Sequence, residues 1–385
     1  MKKMLRVILK IVVGLIIILG IIIGGFLLYF DQSVEMSEKE EFLDTQLYTW
    51  NRIPLGQPAA CSDGSEYSIF TRKGNSYKVI IYFSGGGVCW DDTSCTEPFS
   101  LFNWDGYYFP DIRPKLLASV LGGITDIERE DNAFKDWNLV YIPYCTGDFH
   151  IGNAVNSYKD KNGNSVEVTH NGQANMIEAF NWIFRHFHTP EKILIAGESA
   201  GGFGNIFWTL AIGKNYPNVP IYQLSDCSWL DSKEWPQAVK LWNANTEKVF
   251  GYNVDEDIYG NALLHTAKAL EGRNITFLQT ASVMDETILR FYEKINDLDP
   301  SDLQYQKTWS QNMLQAMARY DDSLYNYYYY LTDWGKDENG LTPHTFMANE
   351  RFYQCEEEGD SLQQWLKRVV IEDAPYSVGK ELLSK

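Results

Sequence analysis

Residues 193–204 read Ile193-Leu194-Ile195-Ala196-Gly197-Glu198-Ser199-Ala200-Gly201-Gly202-Phe203-Gly204, and an apolar helical stretch, Asn205 to Ile212, follows. A short apolar run thus ends in Gly-x-Ser-x-Gly and hands over to a helix. Both glycines are needed, because a side chain at either would collide in a turn sharp enough to push the serine hydroxyl out of a sheet. The pentapeptide alone is a weak signal, and a plain glycine-rich turn is the competing reading. The strand before it and the helix after it are what make Ser199 a candidate nucleophile.

Four further runs have strand length: Lys78 to Phe83, Leu139 to Tyr144, Ile221 to Leu224 and Ile275 to Leu278. Between two of them Met176, Ile177, Phe180, Ile183, Phe184 and Phe187 recur at helical spacing, and Pro190 ends the pattern. The alternation predicts an α/β fold, an open and mostly parallel sheet flanked by helices, with ligands beyond the carboxyl ends of the strands. No repeat or composition break divides residues 51–385, which read as one domain. Tyr327 to Tyr330 reads as a segment mixing buried and exposed faces.

Strand Val79 to Phe83 runs straight into Ser84-Gly85-Gly86-Gly87. Bare glycines leave N–H groups open, so Gly86 and Gly87, with the N–H of Ala200, are candidates to bind an oxyanion. A phosphate loop is the rival, but the Gly-Lys-Ser/Thr ending is missing. The acid and then the histidine of a triad should follow the serine. Only His265 and His344 do. His265 lies among helical apolar residues, whereas His344 sits in the loop-like Thr342-Pro343-His344-Thr345-Phe346 and is the better base. Asp285 follows the later strand and is favoured as the acid, with Asp226 or Asp333 as fallback.

The chain has 385 residues, 45% apolar and 15% aromatic, a composition able to bury a large core. Net charge is -18, and the four basic side chains of the first thirty residues leave -22 for the rest. An electropositive footprint is lacking, which argues against nucleic-acid partners. Lys2, Lys3, Arg6 and Lys10 precede an uncharged run, Ile11 to Phe30, that covers roughly 30 Å as a helix, about one hydrocarbon core. Residues 1–30 therefore read as a basic flank and an uncleaved membrane anchor, and 31–50 as an acidic tether. The charge asymmetry puts the carboxyl-terminal bulk outside the cytoplasm. All six cysteines, Cys61, Cys89, Cys95, Cys145, Cys227 and Cys355, lie in that bulk, where disulfides are permitted. Cys89 and Cys95 are close enough to close a small loop, with free buried thiols as the alternative.

Four blocks together resemble the pectin acetylesterase and Notum family of carboxylic ester hydrolases. They are Tyr82 to Trp90 (YFSGGGVCW), Ile142 to Gly152 (IPYCTGDFHIG), Gly197 to Gly202 (GESAGG), and a late block with Met284-Asp285-Glu286 and His344. The resemblance implies an α/β-hydrolase-like fold with Ser199 as nucleophile, Asp285 as orienting acid and His344 as base. It also implies Gly86, Gly87 and Ala200 as oxyanion donors, and a disulfide near the glycine loop that fits Cys89 with Cys95. The chain departs from the family where a bulky aromatic often follows the second glycine, since Gly87 stands there.

No cofactor is required by this chemistry. Cys145, Asp148 and His150 cluster in sequence without a recognised zinc spacing, so His150 is read as lining the pocket or as structural. Trp90, Trp104 and Tyr107 are read as a platform on which sugar rings stack. The expected substrate is an acetylated, neutral or weakly charged extracellular polysaccharide, or another small acyl ester, because the charge of -22 repels polyanions. A non-catalytic glycan-binding protein on the same fold and a serine peptidase are the alternatives.

Overall fold

The computed structural model describes residues 42–100, 103, 105–112 and 122–383, with seven scattered positions between 10 and 20. The anchor and tether expected over 11–50 fall mostly outside the described residues. Among those described, no helix is long and apolar enough to cross a membrane.

Ten strands are numbered in chain order: β1 (Trp50–Pro54), β2 (Ser68–Arg72), β3 (Lys78–Phe83), β4 (Asn138–Ile142), β5 (Ala154–Lys159), β6 (Ser165–His170), β7 (Lys192–Glu198), β8 (Ile221–Asp226), β9 (Ile275–Ser282) and β10 (Tyr327–Thr332). Eight of them form one sheet in the order β1-β2-β4-β3-β7-β8-β9-β10, and β5 with β6 makes a separate hairpin. The two pairings at the β1 end are antiparallel. The other five are parallel. The expected mostly parallel sheet is therefore present.

Alternating side chains of the central strands feed two cores. Val79, Ile81, Ile193 and Ile195 belong to one face, and Ile80, Tyr82, Leu194 and Ala196 to the other. The first face is covered by helices α1 (Gly172–His186), α2 (Ala200–Asn215), α3 (Ile258–Ala269), α4 (Glu286–Ile295) and α5 (Gln304–Ser323). The second is covered by α6 (Leu362–Val370), through Leu362, Trp365, Leu366, Val369 and Val370. Continuous apolar runs read as strands for this reason: both of their faces are buried.

Strand β3 lies between β4 and β7, so the chain leaves it to one side and later returns to the other. At such a reversal the loops after the two neighbouring strands diverge and leave a crevice at their carboxyl ends. Here those loops are Ser84–Gly87, after β3, and the Ser199 turn, after β7. Phe83 pairs in register with Gly197, which fixes the two loops side by side.

Two expectations are corrected or extended. Tyr327–Tyr330 does not mix faces, because β10 is packed on both sides and Tyr327, Tyr329 and Tyr330 are each at most 2% exposed. The β5–β6 hairpin escaped the sequence reading because its outward positions are exposed and its apolar content is low. Cys89 and Cys95 form a disulfide, as do Cys61 and Cys145, while Cys227 and Cys355 are buried free thiols.

Candidate active site

Ser199 sits at φ 51° and ψ -128°, a region that residues with a Cβ rarely occupy. Surrounding hydrogen bonds hold it there. Its N–H donates to Asp226 O (2.8 Å), and its carbonyl accepts from Ser228 Oγ (2.8 Å) and Gly202 N (2.9 Å). The steric argument for the glycines holds: a Cβ on Gly197 would lie 2.6 Å from Gly201 O, and one on Gly201 would lie 2.2 Å from Phe83 O.

The glycine loop comes as close. A Cβ on Gly85 would stand 2.8 Å from Ser199 Cβ. The segment 107–109 pairs back on the loop, Val88 N donating to Tyr107 O (2.8 Å) and Phe109 N to Gly86 O (3.1 Å). This leaves the amides of Gly86, Gly87 and Ala200 without an acceptor among the described residues. It also explains the departure at Gly87. The residue has φ +79°, and a Cβ there would fall 1.9 Å from Tyr107 O, so no aromatic fits.

Asp285 follows β9 and caps the first turn of α4, Oδ1 accepting from Thr287 N (3.0 Å) and Ile288 N (2.9 Å). Its Oδ2 accepts from His344 Nδ1 at 2.8 Å. His344 Nε2 is buried without a hydrogen-bond partner. Burial opposes charging of the imidazole, but Asp285, by charge and hydrogen bond, together with Asp226 and Glu198, outweighs it and raises its pKa above the usual value. His344 and Ser199 line one open cavity of about 270 Å³ with Gly85–Gly87, Glu198, Phe99, Phe109 and Arg290. Beside it, a second recess of about 20 Å³ is walled by Val88, Phe149, Phe203, Leu230, Trp235 and Phe291, and also touches Ser199 and Ala200. His265, by contrast, stacks on Tyr252 with ring centroids 4.5 Å apart, on α3.

Several candidates are corrected. Asp226 is buried, and both its oxygens are engaged: Oδ1 with Thr280 Oγ1 (2.6 Å), Oδ2 with Phe346 N (2.7 Å) and Met347 N (2.9 Å). It fastens the loop that carries His344 and does not touch the imidazole through a hydrogen bond. Asp333 pairs with Lys336 near the surface. Trp90 is 8% exposed and packs edge-on against Tyr107 and Phe291, so it fills the core and offers no platform. Tyr107 turns toward Trp90 and Lys294, away from the cavity lining. Trp104 lies outside the described residues. The aromatic rings that do line the cavity are Phe99 and Phe109, 4.9 Å apart, with Phe291. His150 is 2% exposed behind the loop, its Nε2 3.3 Å from Ser84 O, so its role is packing. The neighbouring Asp148 accepts from Thr146 Oγ1 and from the amides of His150, Gly152 and Gly172, with no capacity left for a metal.

Among the described residues, two clusters bring three metal-ligating atoms within 4.8 Å, Cys89/Cys95/His170 and Cys227/Asp285/His344. The first spends both thiols on a disulfide. The second spends its carboxylate and imidazole on each other.

The sequence profile of one family, Pectinacetylesterase, matches residues 52–257. The chain belongs to the pectinacetylesterase family. Among curated proteins it is similar to the palmitoleoyl-protein carboxylesterase NOTUM of Schmidtea mediterranea, 26% identical over 41% of this chain and 29% of that protein. It is similar also to NOTUM of Homo sapiens, 25% identical over 47% of this chain and 36% of that protein. The matched part therefore spans about a third of these relatives' length. The solved structure of the Wnt deacylase Notum from Drosophila shares the fold, with a TM-score of 0.58 at 17% identity over 84% of this chain and 94% of the other.

Proposed function

We propose that this chain is a serine ester hydrolase that removes short acyl groups, acetyl above all, from an extracellular carrier such as a polysaccharide. One observation carries the reading. A half-buried imidazole, bonded to a carboxylate at Nδ1 and with its Nε2 buried and unpartnered, shares a cavity with a serine held in a strained turn. His344 takes the proton of Ser199 as its oxygen attacks the ester carbonyl, and Asp285 fixes the tautomer and stabilises the imidazolium. The carbonyl oxygen, negative in the tetrahedral intermediate, meets the amides of Gly86, Gly87 and Ala200. Collapse expels the carrier alcohol, protonated by His344, and water then releases the acyl group by the same steps.

The recess beside Ser199 supports the short acyl group. Its volume of about 20 Å³ holds about one water-sized group, which suits the methyl of acetate. Each further methylene needs roughly as much space again. The walls are aromatic and aliphatic side chains of the core, so the recess does not widen without repacking.

The proposal extends to location. The basic flank and apolar run of residues 2–30 anchor the chain, and the domain stands outside the cytoplasm, a reading supported by two disulfides. The carrier is a neutral or weakly charged glycan, on the strength of the overall charge, although Arg290 puts one cation on the cavity wall.

The test is hydrolysis of 4-nitrophenyl esters from acetate to octanoate by the soluble domain and by Ser199→Ala. Expected are turnover of acetate, a steep fall by butanoate, and no turnover in the variant. Octanoate hydrolysed as fast as acetate would overturn the acyl assignment, and no turnover of any ester would favour a binding protein. Acetylated xylan should be cleaved faster than acetylated polygalacturonate at low salt, and the reverse order refutes the neutral carrier.

A further inference from the structure

The Gly-x-Ser turn constrains its glycines sterically but leaves the position between them free. This chain places a half-buried glutamate there, and a carboxyl partly withdrawn from water is costly unless its surroundings use it. Glu198 ends β7 and opens on the same cavity as Ser199 and His344. The acyl-transfer scheme uses one carboxylate, Asp285, and leaves this one unexplained.

The groups facing Glu198 come from each element packed around it. From β3, the Tyr82 hydroxyl is fully buried without a hydrogen-bond partner among the described residues, and burial and then the nearby Glu198 charge raise its pKa. Gly85 of the glycine loop adjoins the Glu198 backbone, a Cβ there standing 2.8 Å from Glu198 O. Asp226 adds a like charge from β8, and His344 faces it from the loop after β10. Arg290 of α4 stands on the cavity wall and is shared with Asp105 at 3.3 Å. Burial and then the Asp226 charge push the carboxyl up to about 7, against the pull of Tyr82, His344 and the Gly85 amide.

We propose that Glu198 is a positioning residue of the catalytic centre, whose carboxylate, on the wall of the cavity it shares with Ser199 and His344, stabilises the imidazolium that forms on His344 as Ser199 attacks. The proposal rests on the Ser199–His344–Asp285 reading above. His344 then draws its basicity from Asp285, bonded at Nδ1, and from the charges of Asp226 and Glu198, of which Glu198 shares its cavity. Removing the Glu198 charge lowers the proton affinity of the imidazole. The base becomes neutral at lower pH, and its protonated form in the transition state is less stable.

Glu198→Gln keeps the shape while removing the charge. With 4-nitrophenyl acetate, the acid limb of kcat/KM should move down by about one pH unit and the plateau should fall about tenfold. A side chain that only fills space would lower the plateau or the melting temperature with the limb unmoved. A limb within about 0.2 unit of the wild type, at the resolution such profiles allow, overturns the proposal. Should Glu198→Gln fail to fold, Glu198→Asp keeps the charge and draws it back by one methylene. Its limb should move the same way by less, and an unmoved limb there overturns the proposal equally. Ser199→Ala separates the two failures. Activity retained in that variant sinks the triad and this proposal together, whereas activity lost there with an unmoved limb in Glu198→Gln sinks this proposal alone.

Discussion

The hydrogen bonds of Asp285 make one substitution unusually decisive. In Asp285→Asn the side-chain oxygen must stay at the Oδ1 position, because two amides, Thr287 N at 3.0 Å and Ile288 N at 2.9 Å, donate to it there. A flipped amide would set NH2 against both. The NH2 group therefore takes the Oδ2 position, 2.8 Å from His344 Nδ1, and donates where the carboxylate accepted. The imidazole proton is driven to Nε2, and the atom that should take the Ser199 proton already carries one. Losing the base in this way costs about 10⁴-fold in kcat, or about 5 kcal/mol of transition-state stabilisation. The fold should survive, since asparagine caps a helix about as well as aspartate and the change in stability stays under about 1 kcal/mol. Asp226→Asn is the matched control. Its oxygen can stay on Phe346 N and Met347 N while the Thr280 hydroxyl turns to accept, so activity should remain within about tenfold. The measurements are kcat on 4-nitrophenyl acetate and thermal unfolding of both variants. An Asp285→Asn enzyme within tenfold of wild type, or an Asp226→Asn enzyme that is the worse of the two, refutes the assignment of the acid.

Because the pKa of His344 is raised and the base must be neutral to act, wild-type kcat/KM should climb with pH through a midpoint above 6.5, and a midpoint below about 6 contradicts the burial and charge argument. Gly87→Trp should cost about 10²-fold or more in kcat by displacing the glycine loop, since its Cβ would meet Tyr107 O at 1.9 Å; full activity would refute that packing. Removing the Cys61–Cys145 bridge by a double serine substitution should lower unfolding stability in urea by about 4 to 5 kcal/mol, from the 84-residue separation it closes, and an unchanged midpoint would show that the bridge does not form in solution.

What was legible in the sequence was local. The Ser199 turn and the Gly85–Gly87 loop could be read because their glycines answer steric demands set by immediate neighbours, and the strands because burial on both faces leaves unbroken apolar runs. The acid was less legible. Asp226 and Asp285 each end a strand or follow one, and what separates them is which loop returns to which carboxylate. One signal was available: Asp285 precedes Glu286 and the apolar spacing of Ile288, Leu289, Phe291, Tyr292 and Ile295, the pattern of a capped amphipathic helix. A cap fixes one oxygen and leaves the other to face a partner, as the catalytic acid must.

The aromatic residues near the glycine loop are hard to place from sequence for a related reason. Nearness in sequence is not nearness to the cavity: the antiparallel return of 107–109 decides which rings face it, and Trp90 and Tyr107 turn away, while Trp104 lies outside the described residues. Tyr108 goes into the disulfide core and Phe109 onto the cavity wall. The recess proposed to take the acyl group is less local still, because its walls come from four separate stretches: Phe149, Phe203, Leu230 with Trp235, and Phe291. Each reads as ordinary core filler. On the proposed reading, acyl length is set by how tightly the core closes behind Ser199, partly through Leu230, Trp235 and Phe291, which lie outside the motif blocks.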